Sequence, residues 1–103
     1  MTDPLRIQVS VLADRQIQKA ERWWRQNRLK APNAIREELE RIGRTVAVTP
    51  HLGARALNVR LPGVRRIHIE RIHYDVYYRV VGSPPSIEIV AFWGSRRGAG
   101  PPI

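Results

Sequence analysis

The chain of 103 residues has no cysteine, a single methionine and a single phenylalanine. Without cysteine there can be no disulfide, no thiolate nucleophile and no sulfur-ligated metal. Three histidines, at positions 51, 68 and 73, show no metal-ligand spacing along the chain, so neither a metal nor a cofactor is expected. No apolar run approaches the ~20 residues of a membrane span, and no membrane contact is expected. The opening segment "MTDPLRIQVSV" lacks a basic region followed by an apolar stretch and a cleavage site, which leads to the expectation of a cytoplasmic protein without a secretion signal. Acid is scarce as well: nine acidic residues face eighteen basic ones, for a net charge of +9.

What is abundant is arginine, since Lys19 and Lys30 are the only lysines. A field of this sign attracts nucleic acid, acidic protein segments or anionic lipid. Arginine in place of lysine suits planar, hydrogen-bonded contacts with phosphate or carboxylate, although a GC-rich genome produces the same bias. The length and composition predict one globular domain over residues 1–103, able to bury one modest core.

Residues 5–11 alternate Leu5, Ile7, Val9 and Val11 against polar neighbours, which predicts a half-buried strand. Ala13, Ile17, Ala20 and Trp24 then form one stripe of a helix over 12–28. After the break at "LKAPN", Ile35, Leu39, Ile42 and Val46 repeat the stripe over 33–48 and predict an antiparallel helical hairpin. Residues 50–63 have no sustained period and read as a loop with at most a short extended piece. Three antiparallel strands are expected over 64–72, 73–81 and 87–93, the last with Ile87, Ile89, Ala91 and Trp93 inward. Helices and strands are segregated. The fold class is therefore α+β, with an N-terminal strand and a helical hairpin packed on a small antiparallel sheet.

Chemistry-bearing patterns are few. "REELER" reads as a solvated helix face, and Asp75, Glu70 and Glu88 as cross-strand partners of arginines. None of the histidines has an evident partner. Arg65 and Arg66 begin one strand, Arg79 lies late in the next, and Arg96 and Arg97 follow the third. These five are expected to converge near one rim, with Tyr77, Tyr78 and Trp93 close by. Such a rim suits RNA contact, suits docking of an acidic peptide, and serves equally as charge guarding a strand edge. Of Trp23 and Trp24, one ring is expected in the core and the other is a candidate contact.

In this order, "ADRQIQKAERWWRQNR", the loop of Pro50 and Gly53 leading into "LPGVRRIHIERIHYDVYYRV", and "IEIVAFWGSRRGAGP" resemble the ParE/RelE superfamily of bacterial toxin–antitoxin toxins. The ParE-like branch is the more similar. The resemblance implies a toxin held inactive by a cognate antitoxin through an acidic, flexible segment, within a hetero-oligomeric complex. DNA would be met only indirectly, through the antitoxin. ParE-type members poison DNA gyrase; RelE-type members cleave messenger RNA in the ribosome. Carried onto this chain, a metal-independent nuclease would use Arg65, Arg66, Arg79 and Arg96. Gyrase contact would fall to Trp93, Arg96, Arg97 and Tyr77, and antitoxin contact to Trp23, Trp24, Arg65 and Arg79. Asp75 stands where the nucleases generally place an arginine, and no tyrosine or histidine follows Arg96 and Arg97. These departures favour gyrase over ribonuclease. An inactive or nucleic-acid-binding member of the fold is the remaining alternative. The "FWGSRRGAGPP" tail is expected to stand exposed as a stiff recognition element.

Overall fold

The structure is a computed structural model that describes residues 3–103. Its elements run β1 (Arg6–Val9), α1 (Val11–Asn27), α2 (Ala34–Val48), β2 (Ala54–Arg55), β3 (Arg65–Ile69), β4 (Tyr74–Val81) and β5 (Ser86–Gly94). The Ser10 hydroxyl accepts from Ala13 N at 3.1 Å and starts α1, with Asp14 favourably placed in the first turn. Ala13, Ala20 and Trp24 are buried along it, as the stripe predicts. An ion pair between Glu21 and Arg36 at 3.7 Å joins the two helices.

Both helices pack on one face of a five-stranded sheet of order β1-β5-β4-β3-β2. The meander β3–β4–β5 is antiparallel, as expected. The sheet as a whole is mixed, because β1 pairs parallel to β5, Arg6 with Ser86 through Val9 with Ile89. The expected small antiparallel sheet is the meander, and the pairing of the N-terminal strand with it was not readable for a physical reason. The partner of β1 lies about 80 residues away, and local alternation carries no information on pairing between such distant segments. β1 is also more open than a half-buried strand, with Ile7 36% and Val9 46% exposed.

A bulge divides β5. Tyr77 faces Ala91 while Tyr78 faces Ile89, so Val90 is an extra residue. One added residue swaps the faces of everything after it. Ile87, Ile89 and Phe92 therefore join the helix-side core, with Phe92 stacked on Tyr74 at 4.5 Å. Ala91 and Trp93, expected inward by simple alternation, lie on the opposite face. There Val64, Tyr77, Val90 and Ala91 form a second core, against which Ala56, Val59, Leu61, Trp93 and Ile103 pack. The irregular stretch 56–64 and the C-terminal tail are the cover of that core.

Candidate functional site

The tail is not a free element. Trp93 Nε1 donates to Ala99 O at 2.8 Å, Arg60 N donates to Ile103 O at 2.9 Å, and Pro101 is buried. The chain after β5 thus turns back across the outer face, with residues 96–99 and Pro102 exposed and Pro101 buried.

The expected rim of five arginines does not form. Strand register sets Arg65 beside Tyr78 and Arg79 beside Glu88, whereas Gly94 at the end of β5 lies beside Tyr74 at the start of β4. Arg65, Arg66 and Arg79 are therefore at one end of the sheet and Arg96 and Arg97 at the other. Arg65 is further occupied, donating to Gly53 O at 2.7 Å, and Arg79 Nε donates to Glu88 Oε1 at 2.8 Å. The pair Arg79–Glu88 is the cross-strand partnership read from the sequence. Tyr77 is 1% exposed with its hydroxyl accepting from Asn58 Nδ2, so it presents no ring to a partner. Its apparent rim position came from alternation without knowledge of the covering tail.

What gathers instead is a cleft of about 820 Å³ between the C-terminal half of α1 and the end of β5. One wall is Lys19, Trp23, Trp24 and Arg28. The other holds Arg71, His73, Trp93, Arg96 and Arg97. Trp24 is the core member of its pair, its Nε1 donating to Ala31 O at 2.8 Å, while Trp23 is 47% exposed. The Arg28 guanidinium lies 5.1 Å from the Trp23 ring and 5.7 Å from that of Trp24. Arg97 covers Trp93 at 4.0 Å, and Arg96 donates to His73 Nε2 at 3.2 Å. Stacking holds a guanidinium flat while its N–H edges still point outward, a preorganised donor set for carboxylate or phosphate. Among the described residues, none of Arg28, Arg96 and Arg97 forms an ion pair with a carboxylate. The cleft joins Trp93, Arg96 and Arg97 to Trp23, two groups the sequence assigned to different partners. Lys19, Arg28, Arg71 and His73 were missed. The signal for Arg28 was its spacing of four residues from Trp24, while its reach to Trp23 depends on its place at the cap just past the end of α1.

Three acidic side chains sit differently from the sequence expectation. "REELER" is not uniformly solvated, since Glu38 is buried and bridges Arg41 at 2.7 Å and Arg71 at 3.2 Å. Those two guanidinium groups hold its carboxyl below the ordinary range, Arg41 most strongly, against the opposing effect of burial. Asp75 and Glu70 pair with a histidine rather than with arginines. His68 Nδ1 lies 2.8 Å from Asp75 Oδ1 and His68 Nε2 lies 2.7 Å from Glu70 Oε2. Hydrogen bonding to Asp75, then to Glu70, raises the His68 pKa, and the same bond lowers that of Glu70.

A separate apolar groove of about 710 Å³ runs between the hairpin and β1, lined by Ile7, Val9, Ile17, Leu39, Gly43 and Ile89 among others. Beside it β1 is an edge strand, paired on one side only.

No curated protein is significantly similar to the chain. A solved structure described as the chromosomal ParDE TA system from P. aeruginosa shares the fold, with a TM-score of 0.68 and 20% identity over 87% of this chain and 95% of that one. Residues 7–98 match the family described as the ParE toxin of the type II toxin–antitoxin system parDE, from the first strand to the arginine pair. The chain belongs to the ParE family of type II toxin–antitoxin toxins.

Proposed function

We propose that this toxin acts by binding DNA gyrase, through the cleft that holds Trp23, Arg28, Trp93, Arg96 and Arg97. The observation that carries this reading is the separation of the arginines. A nuclease needs its cations around one scissile phosphate, yet Arg65, Arg66 and Arg79 sit at the opposite end of the sheet from Arg96. Asp75, buried and bonded to His68, stands where the nucleases generally place an arginine. The stacked guanidinium groups of the cleft suit a partner surface instead.

Neutralisation is assigned to a cognate antitoxin with an acidic, flexible segment. Its apolar residues fill the groove between the hairpin and β1, and its backbone extends the sheet at the open edge of β1. Its acidic side chains meet the +9 charge of the toxin.

The test is a gyrase supercoiling reaction on relaxed plasmid with ATP. Wild-type toxin is expected to block supercoiling and to trap linear DNA. Replacing both Arg96 and Arg97 by alanine should weaken inhibition tenfold or more while far-UV circular dichroism stays the same. Full supercoiling at excess wild-type toxin would sink the gyrase reading, and transcript cleavage on ribosomes would then identify a nuclease. Val9→Asp, in the groove, should weaken antitoxin binding and leave gyrase inhibition intact.

A further inference from the structure

The turn that joins β3 to β4 gathers side chains that gyrase or antitoxin binding leaves unexplained. We infer that His68, Glu70 and His73 form a binding site for a divalent transition-metal ion of the zinc type, with Asp75 as the positioning carboxylate behind it. One ligand atom from each of the three lies within 4.8 Å of the others. A tetrahedral ion with bonds of about 2.0–2.1 Å holds its ligand atoms about 3.4 Å apart. On metal entry the wider spacings close toward that value while His68 Nε2 and Glu70 Oε2, now 2.7 Å apart, open to it, and the Glu70 side chain, 82% exposed, is free to supply that movement.

The directions of the two imidazoles are fixed independently. His68 Nδ1 is bonded to the buried Asp75, which leaves Nε2 to meet the ion, the metal replacing the proton that this nitrogen now donates to Glu70. A carboxylate behind an imidazole sets the tautomer and raises the basicity of the ligating nitrogen. On His73 the outward nitrogen is identified by its neighbour. A guanidinium can only donate, so the Nε2 that faces Arg96 at 3.2 Å carries a lone pair. His73 itself is held in place by two backbone bonds, His73 N to Ile69 O and Ser95 N to His73 O, both 2.9 Å, and by a φ of 57°.

Donor chemistry selects the metal class. Two imidazole nitrogens and one carboxylate suit zinc and its first-row neighbours, whereas magnesium or calcium would find a single oxygen ligand. Three protein ligands leave a fourth position for water. The ion takes the lone pair that Arg96 now uses, so its arrival displaces that guanidinium at the mouth of the cleft. Metal occupancy is in this way coupled to the presentation of Arg96.

Untagged full-length protein is titrated with ZnCl2 by calorimetry, and imidazole ¹⁵N shifts are followed by NMR. The expected result is one ion per chain, with the Nε2 resonances of His68 and His73 moving and those of His51 unchanged. Glu70→Gln is exposed, and His73→Asn keeps a residue that tolerates positive φ. Each should weaken binding tenfold or more, with the metal-free thermal midpoint unchanged. Arg96→Ala removes the competitor and should tighten binding severalfold. Absence of binding, movement of His51 alone, or full affinity in both ligand variants would overturn the site. Unchanged affinity in Arg96→Ala would overturn the displacement. None of these readouts uses gyrase or antitoxin, so the result is independent of the proposed target.

Discussion

At the scale of single residues, the adjacent Tyr77 and Tyr78 show how one strand fastens two covers. Alternation sends them to opposite faces, and both are buried. The Tyr78 hydroxyl donates to Pro50 O at 2.8 Å and accepts from Gly53 N at 2.9 Å, tying the chain after α2 to the sheet. Gly53 comes so close that a Cβ would sit 2.9 Å from the Tyr78 ring and 3.1 Å from Arg66 O, and the backbone oxygen cannot move aside. Tyr78→Phe leaves a buried N–H without its partner and should cost about 1–3 kcal/mol in urea unfolding. Tyr77→Phe should cost less, under about 1 kcal/mol, because the exposed Asn58 regains water. Equal costs would mean that the buried amide of Gly53 is not what Tyr78 protects. The sequence made these side chains conspicuous, but it placed them close to an expected rim of arginines. Periodicity reports which face a residue is on; it does not report what covers that face.

At the scale of elements, the helices and the meander were readable because their determinants are local. The stripe of Ala13, Ile17, Ala20 and Trp24 needs only a 3.6-residue period, and the three strands need only alternation and turn residues. The parallel pairing of β1, the bulge at Val90 and the folded tail were not readable, since each depends on contacts between segments far apart in sequence. The placement of the arginines failed with them. The end of β5 was put near the wrong edge, and the cleft of Trp23, Arg28 and Arg97 exists only once α1 lies across that end. The tail offers a test of this long-range layer. A Cβ on Gly100 would collide with Asn58 O, so Gly100→Ala should lift the segment after Arg97 from the outer face. Trp93 would then lose its bond to Ala99, and its emission should shift to the red, assigned by comparison with Trp93→Phe. Carboxypeptidase should trim the variant severalfold faster, at a stability cost of about 1–2 kcal/mol. Unchanged emission and trimming would mean that the tail is held by something other than this close approach.

For the whole molecule, the excess of arginine makes each carboxylate that is well placed count. Glu38 is such a group: from α2 it reaches Arg41 on its own helix and Arg71 in the turn after β3, and Glu37 joins it on Arg71 at 3.0 Å. These bonds tie the helical layer to the end of the sheet that forms the cleft. The carboxyl of Glu38 is held below its ordinary value of 4.5, so its stabilising contribution is complete above that value and is lost as pH falls through the lowered one. Acid therefore removes the tie while it adds positive charge to a molecule already at +9, and both effects destabilise. Glu38→Gln removes the first effect and keeps the second. Wild-type stability should fall between neutral pH and the region below 4.5, and the variant should start about 1 kcal/mol lower at neutral pH and lose correspondingly less on acidification. Urea titrations of both proteins at the two pH values measure this difference directly. If the two curves shift in parallel, general charge repulsion governs the acid response and the bridge to Arg71 does not. If they converge, the pairing of Glu38 with Arg41 and Arg71 carries the part of the acid response that charge repulsion does not.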